Sequence, residues 1–96
     1  EFYALAFRNK TVRLVMRRYL NTYMSIIEPI IQRGIDQGEF RPVDAHQTAI
    51  TFGAQLEGTL LLWAYAPEVM DLDGQLRSGT ELLLRSLQEG QSPTGQ

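Results

Sequence analysis

Apolar residues recur along this chain at steps of three and four, the spacing that lines side chains up on one face of a helix. The clearest run lies between Asp44 and Ala66. Ala45, Ala49, Phe52, Leu56, Leu60 and Trp63 fall on one face, and Ile50, Ala54, Gly58, Leu61 and Tyr65 on the opposite one. Thr48, Thr51 and Gln55 fill one flank, His46 and Glu57 the other. A helix apolar on two opposite sides needs cover on both. A chain of 96 residues has few elements to supply it, so the pattern points beyond the single chain.

A second helical stripe runs from Val12 to Gln37. Val12, Met16, Tyr19, Tyr23, Ile26, Ile27 and Ile30 form its centre, widened by Leu20, Met24 and Ile31. Lys10, Arg17, Asn21, Glu28 and Gln32 take the opposite, wet side. Asn9-Lys10-Thr11 reads as a break, with Thr11 either the N-cap, its hydroxyl accepting a bond from an amide of the first turn, or a passing surface residue. Pro29 removes one backbone donor and crowds the carbonyl of Ser25, which predicts a kink. Gly38 suits the C-terminal cap, and Glu39–Val43 reads as a turn, since Pro42 disfavours helix at Arg41. Asp44 then caps the central helix and Pro67 ends it. Asp71 or Asp73 caps a last helix from about Gly74 to Gln88, where Leu72, Leu76, Thr80, Leu83, Leu84 and Leu87 share a face opposite Arg77, Glu81 and Arg85. Glu1–Arg8 reads as the end of an earlier helix, so the chain is expected to be a fragment. The polar stretch Gly90–Gln96 is expected to be disordered. No strand pattern, internal repeat or long heptad array is present. The expected fold is all-α, an antiparallel helical bundle in one domain over residues 1–89.

Composition narrows the function. The net charge of -2 gives the whole fold no bias toward nucleic acid. Arg8, Lys10, Arg13, Arg17 and Arg18 crowd one segment, but no aromatic residue is placed among them for base stacking, and a solvated face is the expected reading. With no cysteine, disulfides, thiolate zinc sites and thiol nucleophiles are excluded, which fits a reducing, cytoplasmic setting. No signal-peptide pattern is present. The run from Ala45 to Pro67 could span a bilayer by length, but Glu57 at its centre argues against insertion, and no membrane partner is expected.

Candidate chemistry is sparse. His46 is the single histidine, with only Asp44 near it in sequence, and reads as an exposed surface residue; no metal or cofactor is expected. No glycine motif of the phosphate-binding kind occurs, and Ser25, Ser78 and Ser86 lack a plausible base. Nothing here composes an enzyme. Gly53 and Gly58 lie inside a helix, where each costs about 1 kcal/mol relative to alanine, so their use is close approach of another backbone. Met16, Tyr19, Tyr23, Met24, Phe52 and Trp63 serve an ordinary core, or line an adaptable apolar pocket opened by the kink at Pro29.

Arg33-Gly34-Ile35-Asp36-Gln37-Gly38-Glu39-Phe40-Arg41, followed by Val43-Asp44-Ala45, resembles the "rGi..Gefr..d" passage of the TetR family of bacterial transcriptional regulators. The helix carrying Leu56-Glu57-Gly58-Thr59-Leu60-Leu61-Leu62-Trp63, the acidic loop and the leucine-rich last helix are similar too. The resemblance implies a C-terminal effector-binding and dimerisation domain. It implies that the last two helices of each subunit build a dimeric four-helix bundle, and that earlier helices enclose a pocket for a small, largely apolar effector. Binding there would alter the spacing of N-terminal helix-turn-helix heads, absent from this sequence, and release a repressor from operator DNA. On that reading Met16, Tyr19, Tyr23, Met24, Phe52 and Trp63 border the pocket. Ile50, Ala54, Gly58, Leu61 and Tyr65, with Leu76, Thr80, Leu83 and Leu87, meet a second copy in a homodimer. The alternative is a helical protein–protein interaction module with no small ligand.

Overall fold

The computed structural model describes residues 8–88. The readings of Glu1–Phe7 and of the Gly90–Gln96 tail lie outside them. Among the described residues every regular element is a helix, and there is no strand. Helix α1 spans Lys10–Asp36, α2 spans Ala45–Tyr65, a short 3-10 turn spans Pro67–Val69, and α3 spans Leu72–Gln88.

Side chains decide where these helices begin. Asn9, not Thr11, caps α1: its backbone is extended and its Oδ1 accepts from the Val12 amide at 3.1 Å. Thr11 already lies inside the helix, too late to serve a first-turn donor. Asp44 caps α2 as its sequence position suggests, with Oδ1 accepting from the Gln47 amide at 2.9 Å. Of the two candidates for α3, Asp71 is the cap, its Oδ2 accepting from the Gly74 amide at 2.9 Å. The helix therefore starts at Leu72, two residues before its expected first position.

The chain leaves α1 through a glycine turn. Gly38 has a φ of 79°, a left-handed conformation that a Cβ would crowd. Its amide donates to the Ile35 carbonyl at 3.1 Å, and the Glu39 amide to the Gly34 carbonyl at 2.9 Å. The turn folds the Phe40 ring back onto Gly34, leaving no room there for a side chain. Pro29 does not break α1, which is continuous to Asp36.

α1 and α2 run antiparallel, because later positions of α1 meet earlier positions of α2. Ile31, Ala45 and Ala49 form the core, with Met24, Ile27, Ile35 and Phe40 packed around them. The packed line of α1 is therefore rotated from the centre of the predicted stripe. Ile26 is 56% exposed and Tyr19 75%. The stripe is wider than one neighbour can cover, so periodicity fixes the helix without fixing its packed edge.

α3 covers the other side of α2. It meets the flank holding Gln55 and Thr59, where Gly79 is buried and its missing side chain leaves room for the Gln55 amide. Thr59 is buried and settles its hydroxyl within the helix, donating to the Gln55 carbonyl at 2.8 Å. This flank reads as polar in sequence. It becomes a helix contact because its polar groups bond locally and a glycine faces them.

Candidate functional site

Tyr23 fixes where α1 and α2 stop touching. Its hydroxyl donates to the Ala49 carbonyl at 2.9 Å, and its ring lies against Gly53, where an added Cβ would sit 3.0 Å from Cε2. Burial pushes the Tyr23 hydroxyl above 10.0, because the ionised phenol would lose solvent. Nearer the core, the helices are joined by Ile31 against Ala45 and Ala49, and by His46 Nδ1 and Glu28 Oε1, 2.9 Å apart on the surface. His46 thus has a carboxylate neighbour eighteen residues away that sequence proximity does not reveal. No group of three or more His, Cys, Asp or Glu side chains able to hold a metal gathers among the described residues.

Beyond Tyr23 the helices part, leaving a groove of about 1010 Å³. One wall is the first half of α1, with Arg13, Met16, Arg17, Tyr19 and Leu20. The facing wall is α2, with Ile50, Ala54, Leu56, Glu57, Leu60 and Leu61. Antiparallel register would set Leu20 near Leu56 and Met16 near Leu60, so the groove stands where those pairs would otherwise interlock. Small-molecule sites occupy about 300–1,000 Å³ and are mostly apolar, and this groove is of that kind and size. A smaller recess of about 220 Å³ lies on the outer side of α1, between Tyr19, Tyr23 and Ile26.

The sequence-derived pocket residues divide. Met16, Tyr19 and Tyr23 line the groove. Met24 packs on the core instead, and Phe52 and Trp63 lie outside the groove lining. The residues assigned to a second copy divide as well. Ile50, Ala54 and Leu61 belong to the groove's α2 wall, facing α1 of the same chain. Gly58 and Tyr65 stand outside it, with no atom within 4 Å of where a Gly58 Cβ would be. Leu76 and Leu83 are half-buried on the side of α3 that carries Gly79, and Thr80 is exposed. Leu87 is 3% exposed and is covered without a partner. Leu20, Arg13, Arg17 and Glu57 were not foreseen as lining. Their signal is the antiparallel register, which becomes visible only once Tyr23 and Gly53 are known to touch.

The glycine turn has its own link to the far end of the fold. The Arg41 amide donates to the Leu87 carbonyl and its Nε to the Ser86 carbonyl, both at 2.8 Å. Those carbonyls lie in the last turn of α3, where no helical donor follows and the dipole is negative. A guanidinium satisfies both needs. The turn and the end of α3 are thereby joined by Arg41 of the Gly34–Arg41 passage.

That passage and the three-helix order are matched by a family model described as BetI-type transcriptional repressor, C-terminal, over residues 1–89. The chain is the C-terminal domain of a TetR-family regulator. Searches among curated proteins and among solved structures returned no match. TetR-family regulator domains are generally not enzymes. No helix among the described residues of this TetR-family domain is long and apolar enough to cross a membrane.

Proposed function

We propose that this domain senses a small, largely apolar effector in the groove between α1 and α2, and that it pairs with a second copy through the outer side of α2 and α3. The observation that carries the reading is the groove itself. It is ligand-sized, its walls come from two helices, and one of them, α2, also holds the uncovered Gly58 and Tyr65 face. An effector wedged between α1 and α2 would act on the helix that meets the partner. Differential affinity for two subunit arrangements would then shift their populations and weaken operator binding by N-terminal heads. This is repressor logic in a cytoplasmic homodimer, with operator DNA reached only through those heads.

The pocket is tested with N-phenylnaphthylamine, a neutral apolar fluorophore. Its fluorescence should rise saturably at one probe per chain. Leu60→Asp should abolish that rise. Leu60 is 41% exposed, so this change spares the packed interior, and an unchanged circular dichroism spectrum would establish that. Saturable binding that survives Leu60→Asp would place the probe elsewhere and sink the groove as the effector site.

A further inference from the structure

The two walls of the groove differ in charge. Arg13 and Arg17 lie one helical turn apart on the α1 wall. Residues 8–27 carry Arg8, Lys10, Arg13, Arg17 and Arg18 and no acid. The facing wall holds one charged side chain, Glu57, and α2 has no Lys or Arg along Ala45–Tyr65. No ion pair joins Arg17 to Glu57 among the described residues. The apolar trough thus has a positive rim on one side and a single negative charge on the other. Low-dielectric walls focus such a field on whatever enters.

We propose that the effector is an amphipathic organic anion, with a carboxylate or sulfonate head at Arg13 and Arg17 and an unbranched apolar tail along Leu20, Leu56 and Leu60 toward Tyr23. This rests on the effector reading above and names the ligand class for the same site. Guanidinium groups suit the head because their planar donor fork matches an oxyanion in two bonds. A cationic amphiphile would face two guanidinium groups across from one carboxylate, so the charge balance of the lining disfavours it. Glu57 repels the head from the α2 wall and so sets the ligand's direction. The tail needs no hydrogen bonds, and Leu20, Leu56 and Leu60 along its course supply no charge.

The test displaces N-phenylnaphthylamine from the full 96-residue chain at neutral pH. Decanoate, decyltrimethylammonium and decanol are used, each below its micellar concentration; they share a tail length and differ in head charge. Decanoate should displace at the lowest concentration and decyltrimethylammonium at the highest. Arg17→Gln should weaken decanoate about fivefold and leave decanol unchanged, the size expected of one partly exposed ion pair. Glu57→Gln should strengthen decanoate. Equal displacement by all three would overturn the anion class while the groove reading stands. Tightest binding by decyltrimethylammonium would overturn it in favour of recognition by Glu57. A bound probe that none of the three displaces would overturn the unbranched tail. Failure of the probe itself to bind would remove the effector reading, and this inference with it.

Discussion

Tyr23 holds α1 to α2 through one hydroxyl and one ring face, and both can be removed separately. Tyr23→Phe keeps the ring against Gly53 and loses the bond to the Ala49 carbonyl. That carbonyl retains its helical donor, so the loss should be about 1 kcal/mol, read as a lower denaturation midpoint. The pH dependence has a definite sign. The folded-state pKa of Tyr23 lies above 10.0, so the fold favours the protonated phenol. Its contribution is whole below pH 10.0 and is lost as pH rises through the folded value. Above pH 10.0 the parent chain should lose stability faster than Tyr23→Phe; equal losses would show that Tyr23 ionises as freely folded as unfolded. Arg41 is the second testable residue. Arg41→Ala leaves the last turn of α3 without its guanidinium donor, while the backbone bond to Leu87 can persist. The site is exposed, so the cost should be about 1 kcal/mol by thermal melting, with fraying concentrated at the end of α3 in amide exchange. Gly38→Ala should cost about 1–2 kcal/mol in the same assay, since its φ of 79° lies where a Cβ is crowded.

Among the elements, α2 carries most of the organisation. It meets α1 on one side and α3 on another, and its remaining face runs past Gly58 to Tyr65. Within the single chain that face is open at Gly58, where an added Cβ would meet no side chain within 4 Å. Gly58→Leu should therefore leave the monomer fold intact, even gaining up to about 1 kcal/mol of helix propensity. It should weaken self-association by obstructing close helix approach. A Gly58→Leu variant that associates as tightly as the parent would assign the partner to another face. The helix pattern of α2 was legible in the sequence, caps included. The packing of α3 on its Gln55 flank was not. The flank of Gln55 and Thr59 looked solvated because its residue types are polar, and only the packing of Gly79 opposite makes it a contact. The breadth of the stripe on α1 hid its packed edge for a related reason. Ile26 and Ile31 are equally apolar, yet one is exposed and the other is core.

At the scale of the molecule, the covered interior is small. Among the described residues, buried apolar side chains are few and modest in size, with Ile31 and Leu87 the largest, while Leu62, Trp63, Val69 and Leu82 remain substantially exposed. A chain with so little interior and so much apolar surface is marginal alone, and a second copy is the economical cover. Light scattering should report a dimer at micromolar concentration. The melting temperature should rise with protein concentration, as it does when association stabilises the folded state. A concentration-independent transition from a monomer would mean that the exposed apolar residues are covered by something other than this chain.

By itself the sequence determined the helices, their principal breaks, the Asp44 cap, the glycine turn and the family they resemble. Each of these is set by residues within a few positions of one another, through helical periodicity, capping and the left-handed backbone of Gly38. Tertiary structure decided what depends on distant residues meeting. The approach of Tyr23 to Gly53 fixes the register of α1 on α2, and with it the groove and the charges at its rim. The bonds from Arg41 to the end of α3 join positions some 45 residues apart. Apolar spacing states that a face will be covered, but several partners satisfy the same spacing, so the choice among them belongs to the packing of the whole chain.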